Sequence, residues 1–296
     1  MNRNNQITAL LQLVDDPDNE VFETVADQLL LYGKNIIPKL EQLWEVTVDE
    51  TVQNRIELLI HRVHFSDLQQ ELLQWSREAN PGLMHGALLV AKYKYPGLDT
   101  EQVNVQMEKL KRNIWLELND YLTPLEQANV VNSILFNYYK IQGYELTTNN
   151  PDYFFINHLL EAKKGNAFSI GILYLILCEI LDIPLFAVGL PRQFVLAYFD
   201  SLYPFFNMGN EEPVQQIQFY LDPVNGMLYT QAEVDIYLRK IQAEARPELF
   251  QPLGNREIIC TLLEELIRCY DARHQTDNAV EITELLRLIK TSDKND

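Results

Sequence analysis

The stretch that decides the fold is "KKGNAFSIGILYLILCEILDIP", residues 163–184. A polar turn opens a strongly apolar helix, predicted over residues 168–181, and Ile-Pro follows where the chain must leave that helix. The N-terminus of such a helix is where the helix dipole can activate a nucleophile. Whether the chain is an enzyme therefore depends on which atom in this stretch could attack a substrate.

The composition indicates a folded protein with an acidic surface. The 296-residue chain is 47% hydrophobic and carries 24 Lys+Arg against 42 Asp+Glu, a formal net charge of −18. Such a chain can bury a sizeable core. Its densest basic clusters are short, "KLKRN" at 109–113 and "KK" at 163–164. Nucleic-acid binding is therefore not expected, because neutralising phosphates needs extended basic clusters.

The cysteines and the termini predict a reducing, cytoplasmic setting. Cys178, Cys260 and Cys269 are odd in number and lack metal-ligand spacing, so neither a disulfide framework nor a metal or other cofactor is expected. The N-terminus lacks the apolar run of a signal peptide. The longest apolar stretch, residues 170–178, is too short to span a bilayer, so no membrane partner is expected. Residues 291–296, "TSDKND", are predicted to be a solvated tail.

A repeat lies near the start of the chain. Residues 18–44 and 49–75 align at an offset of 31, and apolar positions recur at three- and four-residue steps in both. The aligned pairs include Val21 with Val52, Val25 with Ile56, and Trp44 with Trp75. Each unit is predicted to be two short antiparallel helices, with Gly33 and Ser66 in the connecting turns. Stacked helix pairs would make residues 1–80 a helical repeat region that resembles HEAT repeats.

Two groups of polar residues carry metal-ligand side chains without the pattern of a metal site. The acidic run at 15–18 lacks the Gly and the distal Glu of a calcium loop, so it is expected to cap the helix that starts near Asn19. The second group lies near one helical face and consists of His61, His64, Glu57 and Asp67. Packing or solvent exposure is the favoured explanation for it.

The rest of the chain predicts an α+β protein that is mostly helical. Helices are predicted over residues 81–94, 100–120 and 123–140, and a polar loop and another helix follow up to Gly165. Three short segments rich in Val, Phe and Tyr predict strands, namely "LFAVGL", "QFVLAYF" and "IQFYLDP", and "DPVNG" predicts a turn. From residue 231 the pattern is helical again and ends in two helices joined at "RHQTD".

The order of these features resembles a known family. "LLEAKKGNAFSIGILYLILCEILDIPLFAVGLPRQFVLAY" followed by "YLDPVNG" is similar to the SirB-type transglutaminase-like family, which joins a transglutaminase-like core to tetratricopeptide-like C-terminal helices. The resemblance covers roughly residues 80–290 and implies a bacterial-type protein. The predicted organisation is therefore a HEAT-like region at 1–80, a transglutaminase-like, papain-related core with a small antiparallel sheet at 81–230, and C-terminal tetratricopeptide-like helices at 231–296.

The resemblance also implies where catalytic groups would stand. Enzymes of the wider superfamily use a Cys at the start of the central helix, a His that opens a strand and an Asp on the next strand. Those enzymes place the Cys about 17 residues before the Pro of a Gly-Ile-Pro sequence. The matching proline here is Pro184, and counting back from it reaches Ala167. The His position holds Gln193 in "RQFVLAY", and the Asp position falls on Asp222. Two of the three positions therefore lack the group that enzymes of the wider superfamily use, and the implied triad is degenerate.

No nearby residue is predicted to substitute for the missing groups. Cys178 lies on the same helix about 16 Å from Ala167. Ser169 is turned off the face of Ala167 and would need a base, which Gln193 cannot provide. No spacing argument brings His158 to the site. Cys260 and Cys269 are expected to be ordinary thiols of the C-terminal hairpin.

Structural roles are predicted for the polar residues around these positions. Asn166 is expected to cap the central helix, with Ser169 reinforcing that start. Asp222 is expected to cap the "DPVNG" turn, and Gln193 is a candidate hydrogen-bond partner for it. If the cleft binds a ligand, the residues expected to line it are Asn166, Ser169, Gln193 and Asp222.

Three functions from different classes remain open on the sequence. The first is a non-catalytic module that binds and regulates a protein or peptide partner, which stacked helical pairs favour because their surfaces commonly serve as docking faces. The second is a hydrolase or acyltransferase with a displaced Cys or Ser nucleophile. The third is a structural subunit of a larger assembly, whose mark would be an extensive exposed apolar face. The missing thiol and imidazole favour the first.

Overall fold

The computed structural model describes residues 3–200 and 213–292. Four helices form the N-terminal part, namely α1 Arg3–Leu11, α2 Asn19–Leu30, α3 Ile37–Val46 and α4 Glu50–Ser76. The polar tail predicted at 291–296 lies largely outside the described residues. No helix within the described ranges is both long and apolar enough to cross a membrane.

The first N-terminal repeat unit is a helix pair, as the sequence predicts. Asp18 caps α2 by accepting a hydrogen bond from the Glu20 amide at 2.8 Å, which is the capping role predicted for the acidic run. A 3₁₀ turn, Gly33–Ile36, joins α2 to α3. Gly33 has φ of +57°, a conformation that favours glycine because it has no Cβ. The assignment of this region to HEAT repeats stays a prediction.

The second predicted helix pair is wrong, because residues 50–76 form one continuous helix, α4. Ser66, predicted to lie in a turn, sits in the middle of α4, where neither Gly nor Pro interrupts the helix. Tertiary packing explains the length. The first half of α4 buries Ile56 and Leu59 in an N-terminal apolar cluster, and the second half buries Leu72 and Trp75 in the main core. A turn near Ser66 would separate these two clusters.

The central region is built around one buried helix. It contains α5 Leu83–Lys94, α6 Thr100–Glu117, α7 Pro124–Asn132, a π-helical turn Ser133–Tyr138, α8 Ile156–Ala162 and α9 Ala167–Ile180. Every residue of α9 from Ala167 to Cys178 is buried. A helix that is apolar all round must be enclosed on all sides, which explains why residues 163–184 organise the fold.

Strands pack beside α9 in two small sheets. The main sheet is antiparallel in the order β3-β4-β5-β6, with β3 Leu185–Val188, β4 Val195–Phe199, β5 Ile217–Leu221 and β6 Leu228–Tyr229. The three predicted strands are β3, β4 and β5, so that prediction is confirmed. The sequence did not predict the two-stranded parallel pair of β1 Gln142–Tyr144 and β2 Lys164–Asn166, because three-residue strands carry too little periodicity.

The C-terminal part contains α10 Gln231–Lys240, α11 Asn255–Ala272 and α12 Thr276–Ser292. The last two form the predicted antiparallel hairpin. Its apolar side chains, including Ile259, Leu263 and Ile282, belong to the same buried cluster as α9. The architecture is therefore a mostly helical α+β fold.

A polar contact joins the N-terminal region to the C-terminal hairpin. His61 Nε2 on α4 lies 2.7 Å from Glu281 Oε1 on α12, and Tyr93 Oη donates to Glu281 Oε2 at 2.8 Å. The hydrogen bond with Glu281 raises the pKa of His61 above its ordinary value of 6.5. Burial opposes ionisation of Glu281, but hydrogen bonds from His61 and Tyr93 lower its pKa below 4.5.

In the described part of the chain, no group of three or more His, Cys, Asp or Glu side chains could hold a metal ion.

The contact between His61 and Glu281 predicts a pH dependence of stability. The His61 contribution is fully present below pH 6.5 and is lost as pH rises through the raised folded pKa, while the Glu281 contribution is present above pH 4.5 and is lost as pH falls through the lowered one. When the pH is raised from about 6 to about 8.5, the free energy of unfolding measured with denaturant should therefore fall more for the wild type than for His61→Gln. Equal losses in the two proteins would contradict the assignment.

Candidate functional site

The start of α9 is fixed by a reciprocal cap. Asn166 Oδ1 accepts from the amides of Phe168 at 3.0 Å and Ser169 at 3.3 Å, and the Asn166 amide donates to Ser169 Oγ at 3.2 Å. Both side chains are buried. This is the cap predicted from the sequence, and it occupies two of the four residues that were predicted as ligand-binding candidates.

The three positions that the family resemblance implies for a Cys-His-Asp triad belong to segments that converge on Gly171. The rings of Phe168 and Phe194, which follow Ala167 and Gln193 in the chain, stack with centroids 4.6 Å apart. A Cβ built on Gly171 would lie 2.5 Å from the Phe194 ring and 3.4 Å from Pro223 Cβ. Pro223 follows Asp222. The helix start, the strand start and the "DPVNG" turn therefore meet around one glycine of α9.

Two further glycines bring the same elements into close approach. Gly143 of β1 pairs with Gly165 of β2. A Cβ on Gly143 would lie 2.0 Å from the Val224 carbonyl oxygen in the "DPVNG" turn, and a Cβ on Gly165 would lie 2.4 Å from Ser169 Oγ. The β1–β2 pair thus lies between the turn that carries Asp222 and the start of α9, and only glycine fits at both contacts.

Asp222 has the capping role predicted for it. Its Oδ1 accepts from the Val224 amide at 2.8 Å, and its backbone bonds Gly226 and Met227 across the turn. Gln193 is exposed, and no hydrogen bond joins it to Asp222 among the described residues, so the predicted Gln–Asp pair does not form. Burial raises the pKa of Asp222 above its ordinary value of 3.8, which the hydrogen bond from Val224 only partly offsets.

Substitutions at Asp222 should test this capping role. Because its folded pKa is raised, the carboxyl stabilises the fold only at low pH, and this contribution is lost as pH rises through that pKa. Asp222→Asn keeps an acceptor for the Val224 amide and removes the buried charge, so its stability at neutral pH should equal or exceed that of the wild type. Asp222→Ala loses the acceptor and should unfold with about 1 kcal/mol less free energy, measured by urea titration. A larger loss of unfolding free energy in Asp222→Asn than in Asp222→Ala would contradict the capping role.

The side chains that could substitute for a nucleophile are otherwise engaged. Ser169 Oγ donates to the Tyr153 carbonyl at 2.6 Å. Cys178 is buried, and burial raises the pKa of its thiol to about 12, so almost no thiolate forms at neutral pH. Burial also raises the pKa of Cys269 to about 11. His158 is half-buried and lies against the Tyr153 ring, with centroids 6.0 Å apart, and it makes no hydrogen bond to Ser169.

The residues that shape the site were not identified from the sequence. Phe194 fills the space against α9, and Tyr174 Oη donates to Asn132 Oδ1, whose Nδ2 donates to the Gly226 carbonyl at 2.8 Å. The available signal was Gly171 inside an otherwise apolar helix, which indicates close approach of another element. Which ring makes that approach depends on tertiary contacts.

Comparisons with known proteins agree with this architecture. A family model described as Transglutaminase-like superfamily matches residues 101–264. The chain is 25% identical over 222 residues to a UPF0162 protein of Xylella fastidiosa (strain Temecula1), covering 70% of this chain and 72% of that protein. It is 26% identical over 185 residues to a UPF0162 protein of Vibrio cholerae, covering 60% and 62% of the two chains. It is also 21% identical over 210 residues to Protein SirB1 of Salmonella typhimurium, covering 70% and 73%. No solved structure matches the chain significantly.

Proposed function

Because the chain belongs to the SirB-type transglutaminase-like family yet has Ala167 and Gln193 at the implied Cys and His positions, we propose that it is a non-catalytic module that binds a protein or peptide. The observation that carries the proposal is this pair of replacements at the meeting point of α9 and β4. Regulation of the bound partner is part of the proposal.

The chemistry of acyl transfer explains why the replacements matter. A papain-related mechanism needs a thiolate to attack the carbonyl and an imidazole to take and return the thiol proton. The methyl group of Ala167 has no lone pair, and the amide of Gln193 is not a base at neutral pH. The start of α9 is capped by Asn166, and neither residue at the implied positions offers a nucleophile or a base.

The neighbouring groups support the same conclusion. Ser169 is buried and bonded to the Tyr153 carbonyl, and the Cys178 thiol has a pKa of about 12. Neither residue is hydrogen-bonded to a histidine among the described residues. A displaced nucleophile would need such a base within hydrogen-bond reach.

The test is an activity screen of the full chain. The wild type should neither incorporate dansylcadaverine into casein nor release fluorophore from acylated peptide substrates, whereas papain assayed in parallel should hydrolyse those peptides. Turnover by the wild type that is abolished in Ser169→Ala or Cys178→Ser would overturn the proposal. Turnover that is lost in Cys260→Ser or Cys269→Ser would overturn it equally, and only turnover unaffected by all four variants would point to contamination.

A further inference from the structure

One cleft combines positive charge with exposed apolar surface in a chain whose net charge is −18. It lies between α6, the end of the π-helical turn and the turn from α8 to β2. Two depressions that share Val105 and Lys109 make up this surface, one lined also by Tyr139 and Lys163 and the other also by Arg112 and Trp115. We call the two together the cationic cleft. None of these residues belongs to the degenerate triad.

Three elements meet at Tyr139 to form the cleft. Asn113 Nδ2 on α6 donates to Tyr139 Oη at 2.8 Å, and the Lys163 ammonium lies 5.4 Å from the centroid of the Tyr139 ring. The Gln142 amide donates to the Lys163 carbonyl at 2.8 Å, which ties the strand after Tyr139 to the turn after α8. A cavity of about 350 Å³ between these elements is lined by Val105, Lys109 and Tyr139, among others.

Lys163 is a half-buried cation that no carboxylate accompanies. Its Nζ donates to the Leu160 carbonyl, and burial lowers the pKa of the ammonium. No acidic side chain lies within salt-bridge distance of it in the described part of the chain, and burial is the only influence that shifts its pKa. A partly desolvated charge without a counter-charge is costly, and an arriving anion would offset that cost. The cleft is therefore suited to a carboxylate.

Two further cations beside the cavity lack anionic partners among the described residues. Elsewhere Lys34, Lys92 and Lys94 form ion pairs with Glu71 or Asp152. Lys109 and Arg112, both exposed on α6, form no such pair in the described ranges. The third cation of this stretch, Lys111, does pair with an acid, since its Nζ lies 3.3 Å from Glu108 Oε2.

The backbone at Lys163 permits a direct test of its side chain. Its φ is +59° at the C-terminal end of α8, a position where glycine is usually preferred, so glycine can replace it without backbone strain.

The cleft also offers apolar surface. Val105 and Trp115 are 49% and 63% exposed, and together with Lys109 and Arg112 they line a shallow depression of about 660 Å³ along α6. Trp and Arg are the side chains most often found to dominate the energy of protein interfaces. A ligand for this surface should therefore carry apolar groups as well as negative charge.

We propose that the cationic cleft binds an acidic, amphipathic segment of a partner protein, with carboxylates at Lys109, Arg112 and Lys163 and apolar side chains on Val105 and Trp115. The proposal rests on the proposed function only in that it names the surface and partner chemistry of the binding module. Acidic Glu101 and Glu108 also border the depression, which disfavours a continuous polyanion such as RNA or an anionic membrane and suits a peptide of mixed composition.

The experiment uses the full chain and fluorescence anisotropy. The probe is a fluorescein-labelled peptide with Leu at helical spacing, Glu at some of the remaining positions and neutral Ser or Gln at the others, beside the matching peptide with Lys in place of Glu. The wild type should bind the Glu peptide, more weakly at high salt. The net charge of −18 will attract the Lys peptide non-specifically, so its binding should be insensitive to substitutions in the cleft. Failure to bind the Glu peptide would overturn the proposal.

Variants then locate the site. Lys109→Glu with Arg112→Glu should weaken binding about tenfold or more, and Trp115→Ala should do the same. Lys163→Gly should weaken binding while leaving the fold intact, because its φ suits glycine. The matched control is Arg239→Glu with Lys240→Glu, which changes the net charge equally on α10 and should bind like the wild type. Equal losses in the control, or tighter binding of single-stranded RNA or anionic vesicles than of the Glu peptide, would overturn the proposal. Neither outcome of the binding experiment bears on whether the protein is catalytic, because the turnover assays test that separately.

Discussion

Introducing Ala167→Cys together with Gln193→His should create a thiol that iodoacetamide alkylates about tenfold faster near pH 6.5 than the thiol of Ala167→Cys alone. The reason is electrostatic. A thiol at a helix N-terminus gains from the dipole, and a neighbouring imidazolium lowers its pKa further. One unit of pKa change raises the thiolate fraction about tenfold when both pKa values lie above the working pH.

The geometry that supports this expectation is the stack of Phe168 on Phe194. Because these rings are 4.6 Å apart at their centroids, the residues before them belong to segments that are already in contact. The measurement is the alkylation rate against pH, followed by mass spectrometry, in a Cys260→Ser background. Cys178 and Cys269 should contribute little, because burial raises the pKa of both thiols.

A matched control separates a true pair from a general effect of substitution. Ala167→Cys with Gln193→Asn should react like Ala167→Cys alone, because Asn cannot carry the positive charge. If the His variant also reacts like the single variant, positions 167 and 193 do not form a dyad, and the assignment of the degenerate triad is wrong. Recovery of amine transfer is not required for the prediction to hold.

Gly143→Ala should be the most destabilising small substitution near the site, with a loss of about 3 kcal/mol in the free energy of unfolding. The new methyl group would lie 2.0 Å from the Val224 carbonyl oxygen. That oxygen belongs to the backbone of a turn that Asp222 holds closed, so no side-chain rotation can relieve the clash. The β1 strand and the "DPVNG" turn must separate.

Urea unfolding followed by circular dichroism measures this loss. The control is Gly97→Ala, because a Cβ at Gly97 meets no atom within 4 Å, and its stability should stay within about 0.5 kcal/mol of the wild type. A loss at Gly143 no larger than that at Gly97 would show that the turn and β1 are not in contact. Gly143→Ala should also disturb the start of α9, since Gly143 pairs with Gly165.

The fold class followed from the sequence wherever a segment was long and strongly patterned. The apolar helix α9, the strands β3, β4 and β5, and the C-terminal hairpin were all predicted, because burial imposes a periodicity that the sequence must carry. Capping was equally readable. Asn166 and Asp222 lie at local turns whose hydrogen bonds involve residues only two or three positions away.

The errors arose where distant contacts override local pattern. The 31-residue offset suggested a turn at Ser66, yet α4 continues because its two halves pack in different apolar clusters. The predicted contact between Gln193 and Asp222 does not form, because Gln193 is exposed and the Asp222 carboxylate instead accepts a hydrogen bond from the Val224 amide. Neither outcome is visible in a window of neighbouring residues.

By itself, the sequence determined the family, the buried central helix and the absence of a thiol and an imidazole at positions 167 and 193, because these depend on residue identity and on local periodicity. The tertiary structure alone decided which surfaces meet. It placed Gly143 against Val224, Phe194 against Gly171, and Lys163 beside Lys109 in one cleft. The physical reason is that close approach and shared desolvation depend on distances between residues far apart in the chain, and such distances leave no periodic trace in the sequence.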